Sequence, residues 1–218
     1  MRVAFLFSGQ VRDIREDLFR TSLSNLTKDL DYDIYAYFWE EKGKSLNHSS
    51  YESKVSELRN SSYLIKELFM GFNLIKVGHE SFKDFQENLK PQYKKIYKSK
   101  KYHFGTINSI PQIYTLSQCY KLIKDINKYD LVFRCRFDSL FVHPLKLYNL
   151  EDIFRTNQIY SLNFGRAFYP NRIYDIFFGG SKDSMTFLSD LWENLPNLII
   201  DDFDNHLDKR DSCRIFYL

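Results

Sequence analysis

Cysteine is scarce in this sequence and is not spaced for disulfide or metal chemistry. The three cysteines, Cys119, Cys135 and Cys213, are odd in number, far apart and without a Cys-x-x-Cys motif. This pattern argues against a disulfide framework and against a zinc site, because both need cysteines in matched sets. It is typical of a protein from a reducing compartment.

The sequence also lacks a long hydrophobic run. No uninterrupted apolar segment approaches the roughly 20 residues needed to cross a bilayer. The opening MRVAFLF is apolar for too few residues to be a signal peptide and continues directly into SGQVR. We therefore expect a cytoplasmic protein.

Neither sign of charge dominates. The 218 residues include 31 lysines and arginines and 28 aspartates and glutamates, which gives a formal net charge of +3. This balance does not argue for nucleic acid, which attracts strongly basic surfaces. No internal repeat, low-complexity tract or linker divides the chain. We therefore predict one domain that covers residues 1–218.

Apolar runs alternate with helical patterns along the chain. The predicted strands are residues 2–7, 32–39, 74–77, 159–163 and 213–218, with a central strand within residues 129–142. The predicted helices are a segment around Leu18, residues 53–69, 81–89 and 181–195, and a helix within residues 106–126 that Pro111 could open; residues 145–154 are a loop or a short helix. Consecutive strands joined through a helix require a parallel crossover. The pattern predicts an α/β fold, a single domain with a mainly parallel sheet and flanking helices.

A small-residue turn follows the first predicted strand. Ser8, Gly9 and Gln10 come directly after an apolar run, and Arg12 opens a helical pattern. Turn amides next to a helix start favour anions, and glycine permits close approach of the backbone to a ligand. Arg12 could reach a phosphate with its charged fork. The alternative is an ordinary strand–turn–helix with an exposed arginine.

The stretch YDLVFRCRFDSLFV, residues 129–142, is the candidate centre of the fold. It begins as an apolar strand and then alternates charged and bulky residues. With a period of two, Arg134, Arg136 and Asp138 share one face of this strand. Charged groups in a buried strand are costly unless they are paired or used. Because ligands of open α/β sheets lie at the carboxyl ends of strands, we predict a binding site here.

Three further segments leave alternatives open. On the helix at 106–126, which Pro111 could open, Gln112 and Gln118 either face a ligand or are exposed amides. Residues 90–102 are basic and contain tyrosines, and three interpretations are open. We favour a solvated loop; the alternatives are attraction to an anionic acceptor or, as a peripheral contact, to a membrane surface, and binding of nucleic acid. Residues 201–204, DDFD, lack the glycine and glutamate of a calcium loop, so we predict a helix start.

Several stretches together resemble a known family. They are RVAFLFSGQVR, the second strand with its aromatic end, the glutamine-bearing helix, YDLVFRCRFDSLF and IYDIFFGGS. In order and spacing these resemble bacterial and viral glycosyltransferase-like proteins with the GT-A type of nucleotide-diphospho-sugar transferase fold, which are associated with surface polysaccharide synthesis. The resemblance covers most of the chain.

The resemblance implies positions for the donor. It places Ser8, Gly9, Gln10 and Arg12 near the nucleotide, and Arg136-Phe137-Asp138 at the family's Asp-x-Asp metal motif. Here the first Asp is an arginine, so an Mg²⁺ or Mn²⁺ site at Asp138 is weakened or absent. Arg136, with Arg134, could neutralise the diphosphate directly, or both arginines could pair with Asp138 or other buried acids.

The activity expected from these residues is a glycosyl transfer. A nucleotide-sugar would donate its sugar to a hydroxyl of a glycan or a lipid-linked acceptor, with nucleic acid excluded as a partner. Asp175, in an apolar context before a predicted Gly-Gly turn, is the candidate general base; its structural alternative is a buried carboxylate that accepts hydrogen bonds. The rival function is a non-catalytic nucleotide- or sugar-binding module, a degenerate transferase.

Overall fold

The computed structural model describes residues 1–11, 14–41, 61–98, 104–145, 147–161 and 176–205. Its strands are β1 (Arg2–Gly9), β2 (Asp31–Trp39), β3 (Leu74–Glu80), β4 (Leu131–Cys135), β5 (Tyr160–Ser161) and β6 (Phe177–Ser181). Its helices are α1 (Glu16–Thr27), α2 (Ser62–Leu68), α3 (Phe82–Asn88), α4 (Pro91–Lys98), α5 (Phe104–Tyr120), α6 (Leu147–Thr156) and α7 (Lys182–Asn205), with a 3₁₀ turn at Ile126–Lys128.

The six strands form one sheet in the order β3-β2-β1-β4-β6-β5. β1 is parallel to both β2 and β4, and β2 is parallel to β3. β6 runs antiparallel to both β4 and β5. The predicted α/β class with a mainly parallel sheet and flanking helices is confirmed. The predicted extent of the domain, residues 1–218, stays a prediction, because the last thirteen residues lie outside the described part.

Successive residues of the central strands pack on opposite faces of the sheet. Ala4 and Leu6 of β1 face a core built with α5 and α7, and Phe5 and Phe7 face a core built with α1, α2 and α6. All four side chains are at most 1% exposed. Burial on both faces explains why β1 reads as an unbroken apolar run, as expected for a strand within a parallel sheet.

The central strand is shorter than predicted. β4 ends at Cys135, and Phe137 and Asp138 lie in a turn that Ser139 N–H closes on the Arg136 carbonyl at 3.3 Å. The prediction that Arg134, Arg136 and Asp138 share one face of a strand is therefore wrong. The pairing with β6 sets this limit, because the Arg136 N–H still reaches the Ile176 carbonyl at 3.1 Å before the chain turns away.

The predicted Gly-Gly turn is also wrong, because Gly179 and Gly180 are interior residues of β6. Gly179 lies opposite Phe133 of β4, and a Cβ at this position would be 2.2 Å from the Phe133 ring. The glycine therefore makes room for a neighbouring aromatic ring. A glycine inside a strand often marks such a close approach, which local sequence cannot distinguish from a turn.

The basic segment contains a helix rather than the predicted loop, at least over α4. Tyr93 is fully buried, stacks on Trp192 with ring centroids 4.2 Å apart and donates its hydroxyl hydrogen to the Trp192 carbonyl. The Lys90 ammonium lies 2.6 Å from the Glu193 carboxylate. These contacts with α7 stabilise α4 and account for its order.

Two other helix boundaries differ from the prediction. Pro111 lies inside α5 instead of opening it. Residues 201–204 belong to the last turns of α7 instead of starting a helix. The predicted cap of this helix is confirmed, because the Ser181 hydroxyl accepts from the Ser184 N–H at 3.3 Å. Residues 213–218, predicted as a last strand, lie outside the described part.

A buried polar network ties the strands together at their amino ends. Asp33 is 3% exposed and accepts two hydrogen bonds from the Arg2 guanidinium, at 3.1 and 3.0 Å. Its carboxylate also accepts from the Asn73 amide and the Tyr129 hydroxyl. Because charge-assisted bonds satisfy this carboxylate, the network stabilises the edge opposite the ligand-binding edge expected for such sheets.

Glu41 connects the end of β2 to the start of α3. Its carboxylate accepts from the Phe82 N–H at 2.6 Å and from the Ser81 hydroxyl at 2.7 Å. Burial raises the pKa of Glu41, but these hydrogen bonds outweigh burial and lower it below its ordinary value of 4.5. Glu41 therefore stabilises the fold above about pH 4.5, and this contribution is lost as the pH falls through the lowered pKa.

We expect Glu41→Gln to reduce the free energy of unfolding at pH 7. This free energy should also decrease less between pH 5 and pH 3 than it does in wild type, because one carboxylate with a lowered pKa has been removed. Urea denaturation across that range measures the effect. Glu87→Gln removes a more exposed carboxylate, one that lies on α3 itself, and serves as the control. Parallel pH profiles for Glu41→Gln and wild type would contradict this role.

Candidate functional site

The sheet has its topological switch point between β1 and β4. From β1 the chain continues through α1 to β2 on one side, and it later returns through α5 to β4 on the other side. Connections that leave in opposite directions create a crevice at the carboxyl ends of the two strands, where ligands of open α/β sheets bind. We call this region the β1/β4 edge and define it by Ser8, Gly9, Thr115, Arg134, Arg136 and Asp138.

The end of β1 packs directly against Arg134. The Ser8 side chain is buried, and its hydroxyl accepts from the Arg134 Nε–H at 3.3 Å. Gly9 follows with φ of +114°, a conformation that side chains rarely adopt. A Cβ at Gly9 would be 3.9 Å from the Thr115 hydroxyl oxygen and 4.0 Å from Arg134 Nη2. The structure therefore brings together Ser8, Gly9 and Arg134, three of the predicted site residues.

Arg134 places a fixed positive charge beneath this edge. It is 2% exposed, and its guanidinium also lies 5.8 Å from the centroid of the Phe178 ring. Because arginine does not lose its proton in proteins, this charge persists at all physiological pH values.

Burial raises the pKa of the neighbouring Cys119 and Cys135 thiols, and Arg134 partly opposes that shift. Both thiols are therefore protonated and unsuited to nucleophilic chemistry.

Arg136 and Asp138 form a two-pronged ion pair at the surface of the edge. Nε and Nη2 of Arg136 donate to the two carboxylate oxygens of Asp138 at 2.8 and 2.6 Å. Each side chain is 24% exposed. Arg136 is thus the more accessible of the two predicted arginines, and it lies one residue beyond the strand that holds Arg134.

Gln112 lies one turn before Thr115 on α5. Its carbonyl accepts from the Thr115 hydroxyl at 3.0 Å, and its side-chain Oε1 is buried without a hydrogen-bond partner among the described residues. An unsatisfied amide oxygen is costly and calls for a donor from another molecule or a rearrangement. This observation is consistent with the predicted contact of Gln112 with the donor. Gln118 is half-buried farther along the same helix.

Three predicted positions remain. Gln10 directly follows the last residue of β1 and is half-buried. Arg12 and Asp175 lie outside the described residues. Their predicted roles, in phosphate binding and as a general base, stay predictions.

The sequence reading missed polar groups at the carboxyl ends of β2 and β3. The His79 imidazole lies 2.8 Å from the Glu40 carboxylate, and the Glu80 carboxylate accepts from the hydroxyls of Tyr37 and Tyr114. The prediction ended β3 at Val77, three residues too early, which left His79 and Glu80 outside any strand. Their position at the end of an apolar strand is the signal that could have found them.

The residues at Asp138 do not fit a divalent cation. Both of its carboxylate oxygens already accept hydrogen bonds from Arg136. Among the described residues there is no group of three or more His, Cys, Asp or Glu side chains that could hold a metal ion. Mg²⁺ and Mn²⁺ prefer several oxygen ligands, and within the described part of the chain Asp138 belongs to no such set.

Comparisons with known proteins give limited similarity. No family model matches the sequence. No curated protein matches it either. The fold is similar to the crystal structure of mouse xyloside xylosyltransferase 1 in its apo form, at 12% identity and a TM-score of 0.47, over 94% of this chain and 77% of that one. In the described part of this chain, no helix has the length and apolarity needed to span a bilayer.

Proposed function

We propose that this protein is a glycosyltransferase that binds the diphosphate of a nucleotide-sugar at the β1/β4 edge. The observation that carries the proposal is the contact of the buried Arg134 with Ser8 and Gly9 at the switch point of the sheet, with the more exposed Arg136 two residues farther along the chain. Open α/β sheets bind ligands at such points, and paired arginines suit a polyanion. The GT-A resemblance of the motifs agrees with this placement.

In the proposed reaction, the bond between the sugar C1 and the diphosphate oxygen breaks as a bond forms between C1 and the acceptor oxygen. The acceptor hydroxyl gives its proton to a base, and the nucleoside diphosphate leaves with the bonding electrons. Arg136 would stabilise the negative charge that develops on the diphosphate, with the field of Arg134 behind it. Ser8, Gly9, Gln10, Arg12 and Gln112 would hold the nucleotide, and Asp175 is proposed as the base.

The proposed acceptor is a hydroxyl of a glycan or of a lipid-linked sugar, and the proposed process is surface polysaccharide synthesis in the cytoplasm. These finer assignments follow from the motif resemblance. A peripheral contact with a membrane surface through the basic segment around α4 is part of the same proposal. Nucleic acid is not proposed as a partner.

The second candidate is a module that binds a nucleotide or a sugar without catalysis. The ion pair between Arg136 and Asp138 favours it, because it occupies the carboxylate that a metal-dependent transferase would use. Such a module would keep the binding function of the β1/β4 edge and lose the transfer step.

A panel of nucleotide-sugars, screened by thermal shift, tests the proposal. We expect one donor to raise the melting temperature by several degrees at saturating concentration, because a ligand that binds only the folded state stabilises it by mass action. Incubation with that donor should then release free nucleoside diphosphate. Binding without release would support the non-catalytic module, and the absence of any binding across the panel would contradict both.

A further inference from the structure

The pair of Arg136 and Asp138 indicates how the charge of a bound diphosphate is balanced. The inference rests on the proposed function, since it concerns the same edge. We propose that diphosphate binding at the β1/β4 edge needs no divalent cation. Arg136 supplies the positive charge, and Asp138 is a positioning residue that holds the Arg136 guanidinium instead of ligating a metal.

The hydrogen-bond geometry supports this assignment. Two parallel bonds of 2.8 and 2.6 Å join the guanidinium to both carboxylate oxygens of Asp138. A cation bound to Asp138 would have to displace these bonds and would then lie next to the positive charge of Arg136. Like charges a few ångströms apart repel each other, and a partly buried setting screens this repulsion less than bulk water does.

The placement of the arginines points the same way. The end of β4 and the turn after it carry two guanidinium groups, that of Arg134, which is 2% exposed, and that of Arg136, which is 24% exposed. The planar fork of a guanidinium matches phosphate oxygens in geometry.

The backbone around the pair is held from both sides. The Arg136 N–H donates to the Ile176 carbonyl at 3.1 Å, and the Ser139 hydroxyl donates to the same carbonyl at 3.3 Å. The Ser139 N–H donates to the Arg136 carbonyl at 3.3 Å. A turn fixed in this way gives the short side chain of Asp138 a defined position, from which it can orient the longer side chain of Arg136.

Two titrations on the full chain test the inference. The first titrates Mn²⁺ alone into wild type and Asp138→Asn, followed by electron paramagnetic resonance. We expect the two titrations to coincide. The second titrates inorganic pyrophosphate in EDTA by calorimetry. We expect wild type to bind, and Arg136→Lys to bind about tenfold more weakly, because lysine keeps the charge and loses the fork.

A double-mutant cycle separates positioning from a merely structural role. If Asp138 orients the fork, the tenfold loss caused by Arg136→Lys should shrink to less than about threefold in the Asp138→Asn background. Equal losses in both backgrounds would overturn the positioning role. If a thermal melt shows that Asp138→Asn does not fold, Asp138→Ser takes its place in the cycle.

One equivalent of Mn²⁺ bound by wild type and lost in Asp138→Asn would overturn the inference, as would pyrophosphate binding that requires Mn²⁺. These outcomes differ from a failure of the proposed function. Metal-free pyrophosphate binding without any nucleotide-sugar binding would contradict the transferase alone. A nucleotide-sugar that binds and reacts only with Mn²⁺ would leave the transferase in place and contradict the metal-free site.

Discussion

Gly179→Ala is expected to lower the free energy of unfolding by about 3 kcal/mol, a large loss for a single methyl group. The new Cβ would be 2.2 Å from a ring carbon of Phe133 and 2.5 Å from the Val132 carbonyl oxygen. The Phe133 ring is 1% exposed and stacks on Phe177 with centroids 5.2 Å apart, so it has no room to withdraw. Urea denaturation measures the loss.

Gly71→Ala is the matched control for this substitution. Gly71 has a φ of +90°, and a Cβ there would have no neighbour within 4 Å. Alanine at this position should cost only the strain of a left-handed backbone, about 1 kcal/mol. The comparison separates steric conflict from conformational strain. If both variants lose the same stability, Gly179 does not make room for the Phe133 ring.

Arg136→Met is expected to lower kcat/KM for the donor found in the panel by about a hundredfold, with little change in stability. The substitution keeps the length and apolar stem of the side chain and removes its charge. Removing one group that stabilises developing charge typically costs a factor of this size. Steady-state kinetics of nucleoside diphosphate release, together with a thermal melt, measure the two effects.

Arg155→Met is the control for the loss of an arginine. Arg155 lies on α6, is 72% exposed and pairs with Asp152, so its removal should leave kcat/KM within about twofold of wild type. A value for Arg136→Met equal to that of the control would remove Arg136 from the proposed machinery. A loss confined to KM would assign it to ground-state binding of the donor.

The strands were predictable from the sequence where burial is complete on both faces. β1 and β2 are largely apolar and were predicted to within two residues at each end, because such runs have few stable alternatives. The turn predicted at Ser8 and Gly9 is wrong, because these residues are the last two of β1. The weaker predictions were those for glycines and charged residues, whose local patterns fit a turn or a strand equally well.

The order of the strands in the sheet decided most of what the sequence left open. β6 pairs antiparallel with β4, and this pairing makes Gly179 and Gly180 interior residues of a strand and ends at Cys135. These contacts join residues that are far apart in the chain. They depend on which distant strand lies alongside, and the pattern of a single strand does not specify its neighbour.

The sequence by itself determined the α/β class, the two-sided burial of the central strands and the presence of arginines near the end of β4. Hydrophobic burial dictates the class and the two-sided burial, and the spacing of apolar residues along the chain indicates which positions are buried. Only the tertiary structure decided that Arg134 is buried against Ser8, and that Arg136 pairs with Asp138, which the sequence left as one of several alternatives. The energy of a charged side chain depends on its burial, which the local sequence does not reveal.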